Sequence, residues 1–142
     1  MKQELDKLLC EKYPKMMINR NKPMQETAMC WGFDCGDGWY NILNQLMGNI
    51  QHHIDWKNRN SEVVPQVTLD QVKEKFGTLR FYYTGGDDVI DGMVRMAESM
   101  SGVTCEECGK PGKRVGGGWV TTLCEEHALA RDIVYNNEEE DE

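Results

Sequence analysis

The sequence predicts an α+β fold in which helices pack on a small antiparallel sheet and a cysteine-rich module closes the C-terminal end. Three observations support this prediction: apolar residues recur at helical spacing in 38–56, strand-like alternation fills 63–83, and four residues with metal-ligand side chains cluster in 105–127. The 142 residues fit one domain, which we divide into an α+β body over 1–103, the module over 104–135 and a disordered acidic tail over 136–142.

A short N-terminal helix is predicted first. In 2–13, Leu5, Leu8 and Leu9 fall on one helical face, and Pro14 ends the pattern. The segment 15–32 is polar and lacks periodicity, so we expect loop or extended chain there.

The second predicted helix, 38–56, is the longest. Asp37 precedes it and is expected to be its N-cap, because a carboxylate there accepts the first free N–H groups and lies at the positive end of the helix dipole. One apolar face runs along the whole segment. Its members are Trp39, Ile42, Leu43, Leu46, Met47, Ile50 and Ile54.

The segment 63–83 is predicted to form a β-hairpin with strands 67–76 and 79–83, joined near Gly77. In the second strand Leu79 and Phe81 face one way, whereas Arg80 and Tyr82 face the other. The apolar side of the hairpin should therefore pack against the helices.

A helix over 88–101 should follow the hairpin. Asp87 or Asp88 is its expected cap, and Gly102 its expected end. We expect six apolar residues to point inward, namely Val89, Ile90, Met93, Val94, Ala97 and Met100.

The cysteine-rich module carries a metal-site pattern. Cys105 and Cys108 form a C-x2-C pair, and Cys124 and His127 form a C-x2-H pair after fifteen intervening residues. Two short local pairs at this separation are typical of structural zinc sites. Four protein ligands leave no position for a reactive water, so we predict structural rather than catalytic Zn²⁺.

The second ligand pair is predicted to open a helix over 123–135. Thr122 and Glu125 read as a capping box, which would place Cys124 and His127 on one helical face. Between the pairs, two strand-like runs flank three glycines and predict a hairpin over 113–122. Knuckle, hairpin and ligand-bearing helix in this order resemble a treble-clef zinc finger.

Charge and composition exclude several classes of function. The chain has 16 basic and 24 acidic residues, a formal net charge of -8, which disfavours binding to duplex nucleic acid. No apolar run is long enough to cross a membrane, and the charged N-terminus lacks a signal-peptide pattern. The cysteines outside the ligand pairs have no framework spacing, so we expect a reducing, cytoplasmic location.

Two basic sets are candidate anion sites on this acidic chain. Cations beside aromatic rings are the pairing that binds nucleotides and single strands, although solvated surface is the simpler interpretation. The first set is Lys73, Lys75, Arg80 and Tyr82, and the second is Lys110, Lys113, Arg114 and Trp119.

A glycine-rich corner is a candidate docking surface. Asp34, Asp37 and Trp39 lie there among glycines and aromatics, which suits either a packed corner or a surface where a partner binds. The adjacent pair His52 and His53 points in two directions on a helix, so a shared metal is disfavoured. The roles of these histidines and of the three remaining cysteines stay open; those cysteines are Cys10, Cys30 and Cys35.

The segments 34–40 and 71–83, together with the zinc pairs, resemble a family of small proteins encoded by bacteriophages and prophages. The resemblance covers about residues 30–130. It implies an accessory protein that acts in the bacterial cytoplasm, and it brings no catalytic residues with it.

We therefore expect a non-enzymatic protein that binds, and inhibits, a bacterial host or defence protein. The chain shows no assembled set of nucleophile, base and oxyanion donors. Two alternatives remain: a protein that binds a nucleotide or nucleotide signal and, less favoured, a zinc finger that binds nucleic acid. The oligomeric state is open.

Overall fold

A computed structural model describes residues 1–136 and confirms the α+β class. These residues form four α-helices, a three-stranded sheet and a separate two-stranded sheet. The predicted acidic tail, 136–142, lies outside the described residues except for Asn136. In the described part of the chain no helix is long and apolar enough to cross a membrane.

The helices of the body follow the predicted periodicity. Helix α1 spans Gln3–Lys12, α2 spans Tyr40–Arg59 and α3 spans Asp88–Ser101. Every residue on the predicted apolar face of α2 is buried, so this helix forms the centre of the core. Short 3-10 helices at Ala28–Trp31 and Asp37–Trp39 occupy the segment between α1 and α2.

The main sheet is mixed rather than antiparallel throughout. Strand β2, Thr68–Lys75, pairs antiparallel with β3, Thr78–Thr84, as the hairpin prediction requires. Strand β1, only Phe33–Asp34, pairs parallel with β2 on its other side. Two residues carry no alternation pattern, which is why the sequence did not predict this strand.

Helix α3 covers the open edge of β3. The Leu79 N–H donates to Ser101 Oγ at 2.8 Å, and the Phe81 N–H donates to Glu98 Oε2 at 3.0 Å. These side chains satisfy strand donors that would otherwise be unpaired. The edge is thereby closed to pairing with another strand.

Two inward positions predicted for α3 are wrong. Val89 and Met100 are exposed, whereas Ile90, Val94 and Ala97 are buried. A helix at the molecular surface buries only one face, and the apolar residues of α3 extend well beyond the face that the sheet and α2 cover.

The C-terminal module contains β4, Lys113–Val115, paired antiparallel with β5, Thr121–Leu123, and helix α4, Glu125–Ala130. Helix α4 is shorter than the predicted 123–135, and the predicted capping box is wrong. Thr122 lies in β5, and its hydroxyl donates to the Gly77 carbonyl instead. Cys124 occupies the N-cap position of α4.

The predicted N-cap role of Asp37 is also wrong. Asp37 begins the 3-10 turn, and Trp39, not Asp37, precedes the first α-helical residue of α2. The Asp37 carboxylate accepts a hydrogen bond from the Lys2 N–H at 2.7 Å and so ties α1 to this turn.

Candidate metal centre

Four side chains meet at one point in the C-terminal module. The potential ligand atoms of Cys105, Cys108, Cys124 and His127 all lie within 4.8 Å of one another. Cys108 Sγ is 3.7 Å from Cys124 Sγ, and His127 Nδ1 is 3.7 Å from Cys105 Sγ and 3.1 Å from Cys124 Sγ. The structure thus brings both predicted pairs together.

The spacing of these atoms fits a tetrahedral ion. Zn–S bonds of about 2.3 Å place two sulfurs of a tetrahedron about 3.8 Å apart, close to the observed distance between the sulfurs of Cys108 and Cys124. Three thiols and one imidazole are a donor set that zinc prefers. The group can therefore hold a metal ion such as zinc.

The first pair lies in a tight turn that lowers the pKa of one thiol, Cys105, whereas burial raises the pKa of the other, Cys108, to about 11. Gly109 adopts φ +81°, a left-handed conformation, and its N–H donates to the Cys105 carbonyl at 2.9 Å. Burial acts to raise the pKa of Cys105, but N–H donors from Cys124, Cys108 and Glu107 lower this pKa to about 7. The turn thus prepares Cys105 for the deprotonated form that binds metal.

Glu107 and Arg131 orient the histidine. The His127 Nδ1 atom faces the sulfurs, and its Nε2 atom lies 3.4 Å from Glu107 Oε2. Arg131 pairs with the same carboxylate from the far side. A carboxylate behind a ligating imidazole fixes the ring and raises its basicity, so both residues support the centre without touching the ligand position.

The knuckle formed by 105–108 docks on the glycine-rich corner. Glu106 Oε2 accepts from the Gly36 N–H at 2.8 Å, and the Glu106 carbonyl accepts from the Gly38 N–H at 2.7 Å. The Trp39 indole donates to the Thr104 carbonyl at 2.9 Å. A Cβ at Gly36 or Gly38 would collide with backbone atoms of the knuckle, so both positions need glycine for this approach.

The predicted docking corner is therefore covered by the chain itself. Trp39 is fully buried, and Asp37 is held by Lys2, which leaves only Asp34 exposed. The sequence predicted either a packed corner or a docking surface at these residues. It did not identify the knuckle, 105–108, as the segment that packs there.

A second contact joins the module to the tip of the β2–β3 hairpin. Phe76 and Gly77 form a two-residue turn, with φ +55° and +82°. Arg114 Nη2 donates to the Phe76 carbonyl at 2.8 Å, and Thr122 binds the Gly77 carbonyl. The module thus touches the body at the corner and at this turn.

The first predicted basic set comes together on the outer face of the hairpin. Lys73 lies directly opposite Arg80 in the strand register, and Lys75 lies over the Phe76 ring at 5.4 Å. Tyr82 is exposed on the same face. Within residues 1–136 none of these cations forms an ion pair, and Arg80 Nε is buried without a hydrogen-bond partner.

The second predicted basic set does not form one patch. Lys110 pairs with Glu126 at 3.8 Å, Lys113 lies over the Tyr135 ring, and Arg114 binds the Phe76 carbonyl. Trp119 is exposed beside a pocket that contains three glutamates. Arg114 alone reaches the hairpin tip, near the first set.

The remaining cysteines and histidines lie outside the Cys3His cluster. Burial raises the pKa of Cys10 to about 11 and of Cys35 to about 12, which keeps both as neutral thiols. His53 Nε2 lies 2.7 Å from Asp87 Oδ2, whereas His52 is exposed. Cys30 accepts a hydrogen bond through its carbonyl from Arg20.

An apolar groove between α2 and α3 is the surface that the sequence prediction missed. The sequence feature that could have indicated it is that α3 has more apolar positions than one buried face requires, whereas the prediction placed them in the core. The groove has a volume of about 580 Å³. It is lined by Asn41, Ile42, Gln45, Leu46, Asn49, Gly92, Met93, Met96, Ala97 and Met100.

Fold and site together define a small α+β protein with a C-terminal Cys3His cluster that can hold a metal ion. Comparison of the chain with protein-family models, curated proteins and solved structures finds no match. The resemblance to phage-encoded proteins therefore stays a prediction.

Proposed function

We propose that this chain is a non-enzymatic, zinc-stabilised accessory protein that binds and inhibits a protein of a bacterial host, as the phage resemblance implies. The observation that carries the proposal is the exposed apolar groove between α2 and α3. Contiguous apolar surface of this kind typically marks a site of protein binding. The four protein ligands of the metal centre leave no position for a reacting water, which supports a structural role for zinc.

The groove and the metal centre have separate tasks in this proposal. No ligand residue lines the groove, and zinc acts by holding the knuckle against Gly36, Gly38 and Trp39. Trp39 stands one residue before α2, and residues 41–49 of α2 form one wall of the groove. Zinc thus stabilises the start of the helix that the partner would contact.

The test is capture from a bacterial lysate with three zinc-loaded baits: the wild type, the double variant Met96→Gln/Met100→Gln, and Ser99→Gln. Ser99 lies exposed on α3 outside the groove, so its variant controls for the substitution itself. We expect the wild type and Ser99→Gln to retain the same protein at comparable yield, and the double variant to lose it. The captured protein, once purified, should lose activity when the chain is added.

Two results would contradict the proposal: no protein retained by any bait, or turnover of a substrate by the purified, zinc-loaded chain.

The basic face of the hairpin favours a second candidate function, binding of a nucleotide. Its specific observation is the unpaired cross-strand couple of Lys73 and Arg80. A ligand at 100 times its Kd stabilises a protein by about 2.7 kcal/mol, which a thermal shift against a nucleotide panel detects. Stabilisation should disappear in Arg80→Gln, and no shift with any nucleotide would exclude this candidate.

A further inference from the structure

Apolar residues of α3 and of the turn that follows it recur at heptad spacing. Val89, Met93, Met96, Met100 and Val103 are spaced by 4, 3, 4 and 3 residues, which is the spacing of positions that face a partner helix in helix pairs. Four of them are strongly exposed: Val89 by 51%, Met96 by 63%, Met100 by 47% and Val103 by 63%. Apart from Met93, which packs against the core of the body, these residues form a helix-packing seam that no element of residues 1–136 covers.

The groove lies at the middle of this seam. Its lining on α3 runs from Gly92 to Met100, about 12 Å at about 1.5 Å per residue, which accommodates about two helical turns. Helix α2 forms the opposite wall, and His53 joins its end to Asp87 at the start of α3. A Cβ at Gly92 would meet no atom within 4 Å, so the groove is open at that position.

The side chains of the groove suit aliphatic anchors. Met93, Met96 and Met100 are unbranched and polarizable, and such residues adapt to the shape of an incoming side chain. On the other wall, Asn41, Gln45 and Asn49 repeat every four residues and form a polar border without charge. Long apolar side chains at a and d positions of a helix would pack between these two walls.

Charge distinguishes the possible occupants. The groove lining carries no charged residue, but the chain has a net charge of -8 and the exposed Asp88 stands at one end of the seam. A second copy would carry the same negative net charge and the same exposed Asp88, and the repulsion between two like-charged chains costs free energy. A helix with basic flanks would be attracted instead.

We infer that the groove between α2 and α3 binds an amphipathic helix of a different protein, with aliphatic residues at heptad a and d positions and basic residues on the flanks. This inference rests on the proposed function and names the kind of partner segment that the groove takes. The contact is of the helix-in-groove type, in which apolar anchors give affinity and flanking charges increase the association rate.

Designed peptides test the inference without knowledge of the natural partner. The probe is a helical peptide of about 18 residues, long enough to extend past both ends of the groove, with leucine at a and d and lysine on the flanks. One control peptide has the same composition with the leucines moved off the heptad, and another replaces the lysines by glutamate. Affinities are measured by titration calorimetry against the wild type, Met96→Gln/Met100→Gln and Ser99→Gln, with folding verified by Tm.

We expect the wild type and Ser99→Gln to bind the leucine–lysine peptide with equal affinity and the double variant to bind it at least tenfold more weakly. The glutamate peptide should bind more weakly than the lysine peptide, and added salt should reduce the difference. Equal binding of the rearranged peptide, or equal binding by the double variant, would overturn the inference. So would sedimentation of the wild type as a dimer that Met96→Gln/Met100→Gln dissociates, because the occupant would then be a second copy.

The peptide and lysate experiments fail separately. Capture from lysate that depends on Met96 and Met100, without peptide binding, would leave the proposed function intact and remove the helical occupant. Peptide binding without any captured protein would contradict the proposed function and retain a groove specific for helices.

Discussion

At the scale of single residues, Asp87 has two tasks. Its Oδ1 accepts from the Ile90 N–H at 3.0 Å and caps α3, while its Oδ2 meets His53 of α2 at 2.7 Å. Burial acts to raise the pKa of Asp87, but the hydrogen bonds from His53 and from the backbone of α3 lower it below the usual value of 3.8. The sequence predicted a cap at Asp87 or Asp88, but not the contact with α2.

Replacement of Asp87 by alanine should lower the free energy of unfolding by about 1 kcal/mol at pH 7, since loss of an N-cap typically has this cost. Asparagine retains the capping acceptor, so Asp87→Asn should lose less. Because the folded-state pKa is below the unfolded one, the charge stabilises the protein above about pH 4, and this contribution is lost as pH falls further.

Urea unfolding at several pH values checks this prediction. The difference between wild type and Asp87→Asn should narrow below about pH 4. Asp88→Ala is the control, because Asp88 is exposed in the same helical turn. Equal losses for Asp87→Ala and Asp88→Ala would show that the specific contacts of Asp87 contribute nothing.

At the scale of elements, the docking of the knuckle on the turn before α2 is a contact that joins the module to the body. Two backbone N–H groups of the turn bind one residue, Glu106, through its side chain and its carbonyl. The Glu106 carboxylate is partly withdrawn from bulk water by this contact, and this burial raises its pKa. Such an approach is possible only because Gly36 and Gly38 have no side chain.

Gly38→Ala should disrupt this docking. Its Cβ would collide with the Cys105 carbonyl and the Glu106 backbone, and rigid backbone cannot yield as a flexible side chain does. We expect a loss of about 1–3 kcal/mol in unfolding free energy, the usual cost of strain in a packed region, and a change in Trp39 fluorescence. One equivalent of zinc should still bind, because both ligand pairs are local to 105–127.

The matched control is Gly117→Ala. Gly117 lies between β4 and β5, and a Cβ there would meet no atom within 4 Å. Its unfolding free energy should be close to that of the wild type. A loss of zinc in Gly38→Ala would instead mean that the metal site depends on docking for its formation.

At the scale of the whole molecule, the buried side chains form two separate clusters. The larger one joins the helices and the main sheet of the body. Among the described residues, the buried members of the smaller one are Cys105, Val115, Leu123, Cys124 and Ala128, and the partly buried Ile133 and Tyr135 pack against them. Five small or medium side chains bury too little surface to hold a module of this size, and a metal is the usual substitute for a core.

Removal of zinc should therefore unfold the module and leave the body folded. Structural zinc in finger peptides contributes about 10–16 kcal/mol, which appears there as folding energy. After chelation, hydrogen exchange should accelerate in 104–130, while amides of α2 and β2 stay protected. Cys105→Ser and Cys124→Ser should lose the metal and behave as the chelated wild type does. Retention of one equivalent of zinc in either variant would contradict the ligand assignment.

The sequence was sufficient for features that depend on neighbours along the chain. The apolar face of α2 and the β2–β3 hairpin are local periodic patterns, and the two ligand pairs have the spacing of one metal site, so α+β class and Cys3His group were both predictable. Each of these patterns is complete within about twenty residues, on the order of one element with its turn, so its prediction does not depend on contacts with distant parts of the chain.

Only the tertiary structure decided what each surface contacts. Asp37 accepts a hydrogen bond from Lys2, Thr122 donates one to Gly77, and the glycine-rich corner binds Glu106, so in each case the partner comes from a distant part of the chain. The exposure of single residues also depends on long-range packing. The sequence predicted Val89 and Met100 as core residues, but the packing of α3 leaves both exposed. The physical reason is that the periodic pattern of the sequence indicates which positions are apolar and share a face. Long-range packing determines which of those positions the chain itself buries.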